Sequence, residues 1–531
     1  MSRMANAACA DDQSTEEASG WRALLDGVLY CVVFAVPCAV YAILLLHHFY
    51  IQGGFFLDSG LQAALIWHND AALTPPLPFG TESFYATHMS PLFVPLGLLS
   101  RALPFTLAQY YAVVSGIAHA IPGLLVFRVL RRHYGGTTAT SPSSGIRAAA
   151  LGLAFAFNGM ALAIIRYPHL EIIFVAGAMA FLTLLVERRW ALATLCFVAS
   201  LATREDAGFH LFALLATFLV VGILARRWGS IGPAPSPAPI IGFAAAALLY
   251  SVVALLIQHR LFPDSSSLGR IYLGQPPFAH VTAGGLAIRL IGYLLYRPYL
   301  VLPAIGAALG ATRLRNPLLL FGYAAFLPWF ALHLLAESDI AGTLSGYYGF
   351  PFMIAAFCPL IGGLSARVSK GTAGPAPDKR VPWLFAAMIL LSWVGLGRQY
   401  NPDEMDLLDS LAPPSLQRQR ATEAAVADLV ACRPSLGRLA VDNAILGLAP
   451  RAFPGPDRIL SDGGSAYDTV IYFENGFDRA RVREQIGLRR LSEAYRIEGT
   501  SIRVASDRDL LALCRLDGAI ATTAPVAAAA P

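Results

Sequence analysis

Apolar runs close to twenty residues long recur along roughly the first 400 positions of this chain, and they limit its fold more than any other feature. A helix of about 20 apolar residues is what crosses a bilayer, and only helices and closed barrels satisfy their backbone hydrogen bonds there. Hydrophobic residues make up 56% of the 531 positions and charged residues only 14%. Soluble domains carry about a quarter charged residues. The sequence therefore predicts an all-α polytopic membrane protein and disfavours a soluble one.

We predict about eleven spans from run length and flanking charge, with residues 1–22 as a cytoplasmic tail and 23–398 as the transmembrane domain. The spans are 25–48, 106–127, 147–166, 170–187, 190–203, 207–225, 239–258, 298–312, 317–335, 346–365 and 382–398. Basic residues gather on alternate connections, as a single cytoplasmic face requires. They are Arg128, Arg131, Arg132, Arg147, Arg188, Arg189, Arg226, Arg227, Arg313, Arg315, Arg367, Lys370, Lys379 and Arg380. We expect a bacterial inner-membrane protein with a cytoplasmic N-terminus.

The remaining connections are predicted to face the periplasm. They include a long first loop, 49–105, and everything after residue 398. Helix-like and strand-like runs alternate over 399–518, which predicts a small α/β domain. Residues 519–531 are of low complexity and are expected to be disordered. The net charge of +5 is concentrated at span ends, so it reports topology and gives no indication of a nucleic-acid partner.

Two periplasmic stretches are apolar but unsuited to spanning. "SPLFVPLGLLSRALPF" is short and interrupted by proline, and "GGLAIRLIGYLLYR" carries Arg289 and Arg297. Both are typical of helices that lie in the membrane interface, and the first also fits a re-entrant helix. Cys432 and Cys514 both fall in the exported domain, where a disulfide is possible. No cluster of His and Cys residues indicates a metal site.

Ionisable and aromatic side chains converge on the predicted periplasmic ends of the spans. They are Asp58, His88, Arg166, His169, Glu171, Arg204, Glu205, Asp206, Tyr347 and Tyr348. Each member has a simpler interpretation, since the triplet at 204–206 fits a solvated turn, His88 fits a loop histidine, and Asp58 fits the N-cap of "GLQAALIW". The convergence of several loops on one face is more informative than any member, because charged groups near the bilayer are costly.

Several short segments in order resemble a bacterial family of predicted membrane proteins of unknown function, related to the GT-C superfamily of glycosyltransferases. The segments are "FFLDSGLQAALIW", "THMSPLFVPLGLLSRALP", "YPHLEIIF", "TREDAGFHLF", "SGYYGFPF" and "YDTVIYFEN". GT-C enzymes move a sugar from a polyprenyl-phosphate donor to an acceptor at the outer face. The resemblance implies a GT-C-like fold, a polyprenyl-phosphate sugar donor, and an envelope glycan, lipid or protein as acceptor. It places Asp58 as the acidic residue of the first outer loop, acting as base or metal ligand.

The chemistry of sugar transfer suggests roles for the remaining residues. His88 and Glu205 join Asp58 as candidate catalytic groups, because an acceptor hydroxyl needs a base. Arg204, Arg166 and Arg297 are candidates for the leaving phosphate, with His169, Glu171, Tyr347 and Tyr348 lining the substrate site. Mg²⁺ or Mn²⁺, held by Asp58 and Asp206, or no cofactor at all, is compatible with this set. Two other classes stay open: a transporter or flippase for a lipid-linked substrate, and a non-catalytic envelope assembly protein.

Overall fold

Most of the chain folds into helices, because short polar turns separate its apolar runs. The computed structural model describes residues 2–52, 59–68, 71–73, 83–134, 142–165, 169, 171–227, 237–263, 269–344, 346–368, 378–395, 409–448, 458–459, 467–474, 491, 493–514 and 519–522. The first ten helices are α1 (Ser2–His47), α2 (Ser59–His68), α3 (Phe93–Ala102), α4 (Leu107–Val129), α5 (Pro142–Ala156), α6 (Gly159–Ile165), α7 (Glu171–Val186), α8 (Trp190–Leu201), α9 (Ala207–Arg227) and α10 (Ala238–Leu261). Residues 2–22, assigned to a tail, thus continue α1.

Seven further helices complete the apolar region. They are α11 (Ala283–Tyr296), α12 (Pro298–Leu314), α13 (Phe321–Ala325), α14 (Leu327–Leu334), α15 (Asp339–Gly342), α16 (Phe350–Val368) and α17 (Arg380–Ser392). Helix α11 meets α12 at 87°. One face of α11 is exposed and apolar, with Ile288 72% and Ile291 55% accessible. This is the geometry expected of a helix that lies along a membrane surface before the chain turns inward.

In the described part of the chain, six helical segments are long and apolar enough to cross a membrane, or up to eight if each bent pair counts as one span. The six are Ala23–Ile51, Leu107–Tyr134, Ala207–Arg226, Ala238–Leu261, Pro317–Leu334 and Asp339–Leu364. Helices α7, α8 and α17 match predicted spans but have only 16, 12 and 13 residues. A span needs about 20 residues. The total of eleven therefore stays a prediction.

Two predicted spans are not continuous helices. The span at 147–166 is divided into α5 and α6, bent by 41°, because Asn158 accepts hydrogen bonds from the Met160 and Ala161 amides at 2.8 and 2.9 Å and so starts a new helix. The span at 317–335 is divided into a short 3₁₀ turn, α13 and α14. There Pro328 occupies the first turn of α14, where its missing N–H costs nothing.

Basic side chains at one end of the bundle join helices that the sequence assigns to one face. Glu187, next after α7, accepts hydrogen bonds from Arg128 (2.6 Å) and Arg132 (3.2 Å) near the end of α4. Arg131 pairs with Asp26 of α1 at 2.9 Å. The start of the apolar part of α1 and the ends of α4 and α7 therefore lie together, as the predicted alternation of connections requires.

The C-terminal region contains a six-stranded sheet of order β2-β1-β3-β5-β4-β6. Its elements are α18 (Leu416–Ala431), β1 (Leu439–Val441), α19 (Asn443–Leu448), β2 (Arg458–Ile459), β3 (Thr469–Phe473), β4 (Glu493–Ile497), β5 (Ile502–Ser506), α20 (Leu510–Leu513) and β6 (Ala519–Thr522). Strand β1 is parallel to β2 and β3, and the other pairs are antiparallel. Residues 519–522, assigned to the disordered tail, instead form the edge strand, because pairing with β4 satisfies their backbone groups.

The C-terminal domain shares a hydrophobic core with the segment predicted to be the first outer loop. Phe49 packs in one cluster with α2, α18, α19 and β5, and a Cβ added at Gly447 would come within 2.5 Å of its ring. Tyr50 donates a 2.5 Å hydrogen bond to Glu423 of α18. Cys432 and Cys514 are joined in a disulfide across 82 positions. The composition therefore changes near residue 398, but one hydrophobic core contains residues from both sides of this boundary.

Candidate functional site

Arg204 is the centre of a buried cluster of charges. Its guanidinium donates one hydrogen bond to Glu171, the first residue of α7, and another to Asp206 at 3.1 Å, just before α9. The side chains of Arg204 and Glu171 are 11% and 3% exposed. A carboxylate at a helix N-terminus is favoured by the helix dipole, and pairing offsets the cost of burying charges. Arg204 thereby ties the beginnings of two apolar helices together.

Glu205, next in the chain, points to a different partner. Its Oε1 lies 3.1 Å from His88 Nδ1, and its Oε2 accepts the Met89 amide at 2.9 Å. The Glu205 side chain is 9% exposed and that of His88 is 25% exposed. Burial raises the pKa of Glu205, but its interactions with His88 and Arg204 outweigh this effect and hold that pKa at about 2. The pair is a buried carboxylate that orients a more accessible imidazole.

The next carboxyl along the chain behaves in the opposite way. Burial raises the pKa of Asp206, Arg204 opposes that effect, and the neighbouring carboxylate of Glu205 adds to it. His210 lies one helical turn further on, with Nε2 3.9 Å from Asp206 Oδ2. Two adjacent carboxyls with pKa values moved apart are a feature of functional sites.

The turn that carries this cluster is held by polar groups on α10. Ser251 accepts a hydrogen bond from the Phe209 amide at 3.1 Å and donates one to the Glu205 carbonyl at 2.5 Å. Gly208 packs so closely that an added Cβ would meet the Ala247 carbonyl at 2.1 Å. Only glycine allows α9 and α10 to approach to this distance at the site.

Aromatic rings extend the cluster away from Glu171. The His169 ring stacks on Tyr347 with centroids 4.1 Å apart, and Tyr347 stacks on Tyr348 at 4.4 Å. The Tyr348 ring lies 5.1 Å from that of His333. The tyrosines before α16 therefore contact the turn before α7, although almost 180 positions separate them in the sequence.

A separate cavity of about 520 Å³ lies between α11 and the segment around α15. It is lined by His280, Val281, Thr282, Gly285, Leu286, Ile288, Arg289, Gly292, Tyr293, Tyr296, Arg297, Asp339 and Thr343. Arg289 stands on α11 and Arg297 directly follows its last residue, and α11 also carries exposed apolar side chains. A cavity that contains two arginines and lies beside an apolar helix surface suits a molecule with a charged head and a hydrocarbon tail.

Most of the predicted site residues lie in the first cluster: His88, His169, Glu171, Arg204, Glu205, Asp206, Tyr347 and Tyr348. Arg297 lies in the cavity at α11 instead. Asp58 and Arg166 fall outside the described residues. Ser251 and Arg289 were not predicted as site residues. The sequence offered one indication of Ser251. Ser251 and Gln258 are seven positions apart, so these two polar residues lie on one face of the apolar helix α10.

The carboxylate oxygens that the structure describes at this site are not arranged to bind Mg²⁺ or Mn²⁺, the candidate cofactors. Both oxygens of Glu205 accept hydrogen bonds, and Asp206 Oδ1 and Oδ2 each lie 3.1 Å from a nitrogen of Arg204. No group of three or more His, Cys, Asp or Glu within the described ranges is placed to hold a metal ion. Hard divalent cations require several free oxygen ligands. Asp206, the described half of the predicted metal pair, is therefore an ion-pair partner.

No family model matches this chain, and no curated protein matches it in sequence. One solved structure that it resembles is a crystal structure of ArnT from Cupriavidus metallidurans bound to undecaprenyl phosphate. The TM-score is 0.44 and the sequence identity 13%, over 93% of this chain and 99% of that one. At this level, the similarity assigns no role to any residue.

Proposed function

We propose that this chain is a membrane glycosyltransferase that moves a sugar from a polyprenyl-phosphate donor to an envelope acceptor on the periplasmic face. The hydrogen bond between His88 and Glu205 carries the proposal. Charged groups buried at the ends of apolar helices are costly and tend to have a function. An imidazole held by a carboxylate and partly open to solvent is the usual arrangement of a general base.

The proposed step uses the free nitrogen of His88. While Nδ1–H donates to Glu205, Nε2 is an acceptor, and the described residues offer it no partner. It takes the proton of an acceptor hydroxyl as that oxygen bonds to the anomeric carbon of the sugar. The bond from this carbon to the phosphate oxygen breaks, and the electron pair leaves with the lipid phosphate. Glu205 keeps the ring in one tautomer and stabilises the imidazolium that results.

The leaving phosphate needs positive charge nearby. Arg204 and Arg297 differ in how available their guanidinium groups are to a phosphate. Arg204 already donates to two carboxylates, and their negative charges would repel a bound phosphate. Arg297 is half-buried in the cavity beside the apolar face of α11. We assign the lipid phosphate to this cavity, with the polyprenyl chain along α11. Asp58 and Arg166, outside the described residues, stay candidates from the sequence, Asp58 as a catalytic group and Arg166 as a phosphate ligand.

Replacement of His88 tests the proposal. His88→Gln in the purified protein, supplied with polyprenyl-phosphate sugars in nanodiscs, is expected to lower turnover by about 10²- to 10⁴-fold, the usual contribution of a general base. His259→Gln is the matched control, because His259 is exposed at the end of α10. Asp58→Asn is expected to lose product as well, with expression unchanged.

Other outcomes would point to the other classes. Equal turnover in the His88 and His259 variants would reject His88 as the base. If no donor gave product with the unmodified chain while labelled lipid crossed the bilayer, a flippase would be indicated. If envelope assembly in cells were normal in all three variants, a scaffold would be indicated instead.

A further inference from the structure

Arg289 lies in the cavity, but its hydrogen bonds go to two backbone carbonyls and to the side chain of Asp339. Nη1 donates to the carbonyl of Leu334 at 3.0 Å and to that of Ala336 at 2.5 Å. Nη2 donates to Asp339 at 3.2 Å. The Arg289 side chain is only 17% exposed, whereas that of Asp339 is 94% exposed. The buried part of this guanidinium is therefore committed to the chain that follows α14.

One of the carbonyls that Arg289 caps, that of Leu334, is left free at the end of α14. The last carbonyls of α14 have no partner within the helix and carry partial negative charge. His280 Nε2 lies 2.9 Å from the carbonyl between them, that of Leu335. The following amides of Glu337 and Ser338 donate to the backbone of the 269–273 turn at 3.2 and 2.9 Å. Three successive carbonyls and two amides thus fix the segment 334–338.

Gly342 gives Arg289 the space that it needs. A Cβ at Gly342 would lie 2.7 Å from Arg289 Cζ and 2.9 Å from both terminal nitrogens. The guanidinium therefore packs directly against the backbone of α15. The hydroxyl of Tyr293, one turn after Arg289 on α11, donates to the Gly342 carbonyl. Two side chains of α11 hold α15 in place from the same face.

Arg297 makes fewer hydrogen bonds to the protein than Arg289 does. Nε donates to the Thr343 carbonyl and Nη1 to the Tyr296 carbonyl, both at 3.2 Å. A guanidinium has five N–H donors, and the described residues provide no partner for the other three. Arg297 thus retains a donor pair suited to a phosphate.

We propose that Arg289 is a positioning residue that holds the segment 334–343 against α11 as one wall of the cavity, and that Arg297 is the guanidinium available to a lipid phosphate. The first part stands on the contacts of Arg289. The second rests on the proposed function, because it takes the lipid phosphate as the ligand.

The distance between α11 and α15 tests the first part without any activity. Nitroxide labels at Leu294→Cys and Ile340→Cys, both exposed positions, would report it by electron paramagnetic resonance in nanodiscs, with Cys9 and Cys31 replaced by Ser. We expect Arg289→Ala to broaden the distance distribution, Arg289→Lys to restore part of it, and Gly342→Ala to shift it. Arg297→Ala removes only one hydrogen bond to this segment, that to Thr343, and should change the distribution less than Arg289→Ala does. An unchanged distribution in both Arg289→Ala and Gly342→Ala would overturn the proposal.

Binding of farnesyl phosphate, with inorganic phosphate as the comparison, tests the second part. Arg297→Ala should weaken farnesyl phosphate binding by about tenfold or more, and Arg289→Lys by less. Binding of inorganic phosphate equal to that of farnesyl phosphate would mean a site for free phosphate and would reject the lipid assignment. A greater loss in Arg289→Lys than in Arg297→Ala would make Arg289 the ligand contact. If neither ligand binds while Arg289→Ala still broadens the distances, the proposed function fails and the positioning role stands.

Discussion

At the scale of single residues, Arg204 sets both the stability and the geometry of the candidate site. Removal of one partner from a buried ion pair leaves an uncompensated charge, which costs about 3–5 kcal/mol. We expect Arg204→Ala to lower the free energy of unfolding by about that amount, because Glu171 and Asp206 then lose their cation. Denaturant titration in detergent measures the difference.

The matched control is Arg189→Ala at the other end of the bundle. The Arg189 side chain is 48% exposed, 3.5 Å from Glu187, and an exposed pair contributes about 0–1 kcal/mol. Equal losses in the two variants would contradict the role given to Arg204. Addition of Glu171→Gln to Arg204→Ala should recover part of the loss, since it removes one of the unpaired charges.

Glu205 gives a prediction for pH. Its pKa is about 2 in the folded protein, against an ordinary value of 4.5. The unfolded chain thus takes up the proton first as the pH falls, so the stability that this carboxylate contributes is complete above about pH 5 and is lost as the pH approaches 2. We expect the difference in Tm between the unmodified protein and Glu205→Gln to shrink as the pH falls from 5 toward 2. A difference independent of pH down to pH 3 would reject the shifted pKa.

At the scale of helices, the close contact of α9 and α10 supports the turn that carries the charges. Gly208→Ala would place a methyl group 2.1 Å from the Ala247 carbonyl and 2.6 Å from Ser251 Oγ. Overpacking costs about 1–3 kcal/mol, and here it would also displace the group that holds Glu205. We expect lower Tm and lower turnover together.

Gly222 on the same helix provides the control. A Cβ at Gly222 has nothing within 4 Å, and alanine is a better helix former than glycine by about 1 kcal/mol. Gly222→Ala should therefore leave Tm unchanged or raise it. If Gly208→Ala behaved in the same way, the close approach of the two helices would not matter to the site.

The sequence predicts where helices form more readily than it predicts where they are interrupted. Apolar length is a local property, so α1, α4, α9 and α10 follow directly from it. The break at Asn158 depends on one side chain capping two amides, and the 87° bend before α12 depends on Pro298 and on packing. An average over twenty residues does not register such single contacts.

At the scale of the whole molecule, the predicted topology and the fused C-terminal domain give one prediction each. Alkaline phosphatase joined after residue 531 should be active, and joined within the basic connection 369–377 it should be inactive, because this enzyme folds only outside the cytoplasm, where disulfides form. Reduction of Cys432–Cys514, which closes a loop of 82 positions, should lower the stability of the C-terminal domain by about 4–5 kcal/mol on the chain-entropy argument. Limited proteolysis with and without reductant measures this, with Cys31→Ser as a control. The opposite pattern of fusion activity would mean that the topology is the inverse of the predicted one.

The sequence by itself determined the helical class of the protein, the runs that become its helices and the types of side chain at their ends, because apolar length and charge are local properties of the chain. Only the tertiary structure decided which polar groups meet. His88 and Glu205 are 117 positions apart, and Arg204 and Glu171 are 33 apart. Their contacts depend on how α7, α9 and α10 pack, and the same packing commits Arg204 to carboxylates and Arg289 to backbone carbonyls while Arg297 keeps free donors.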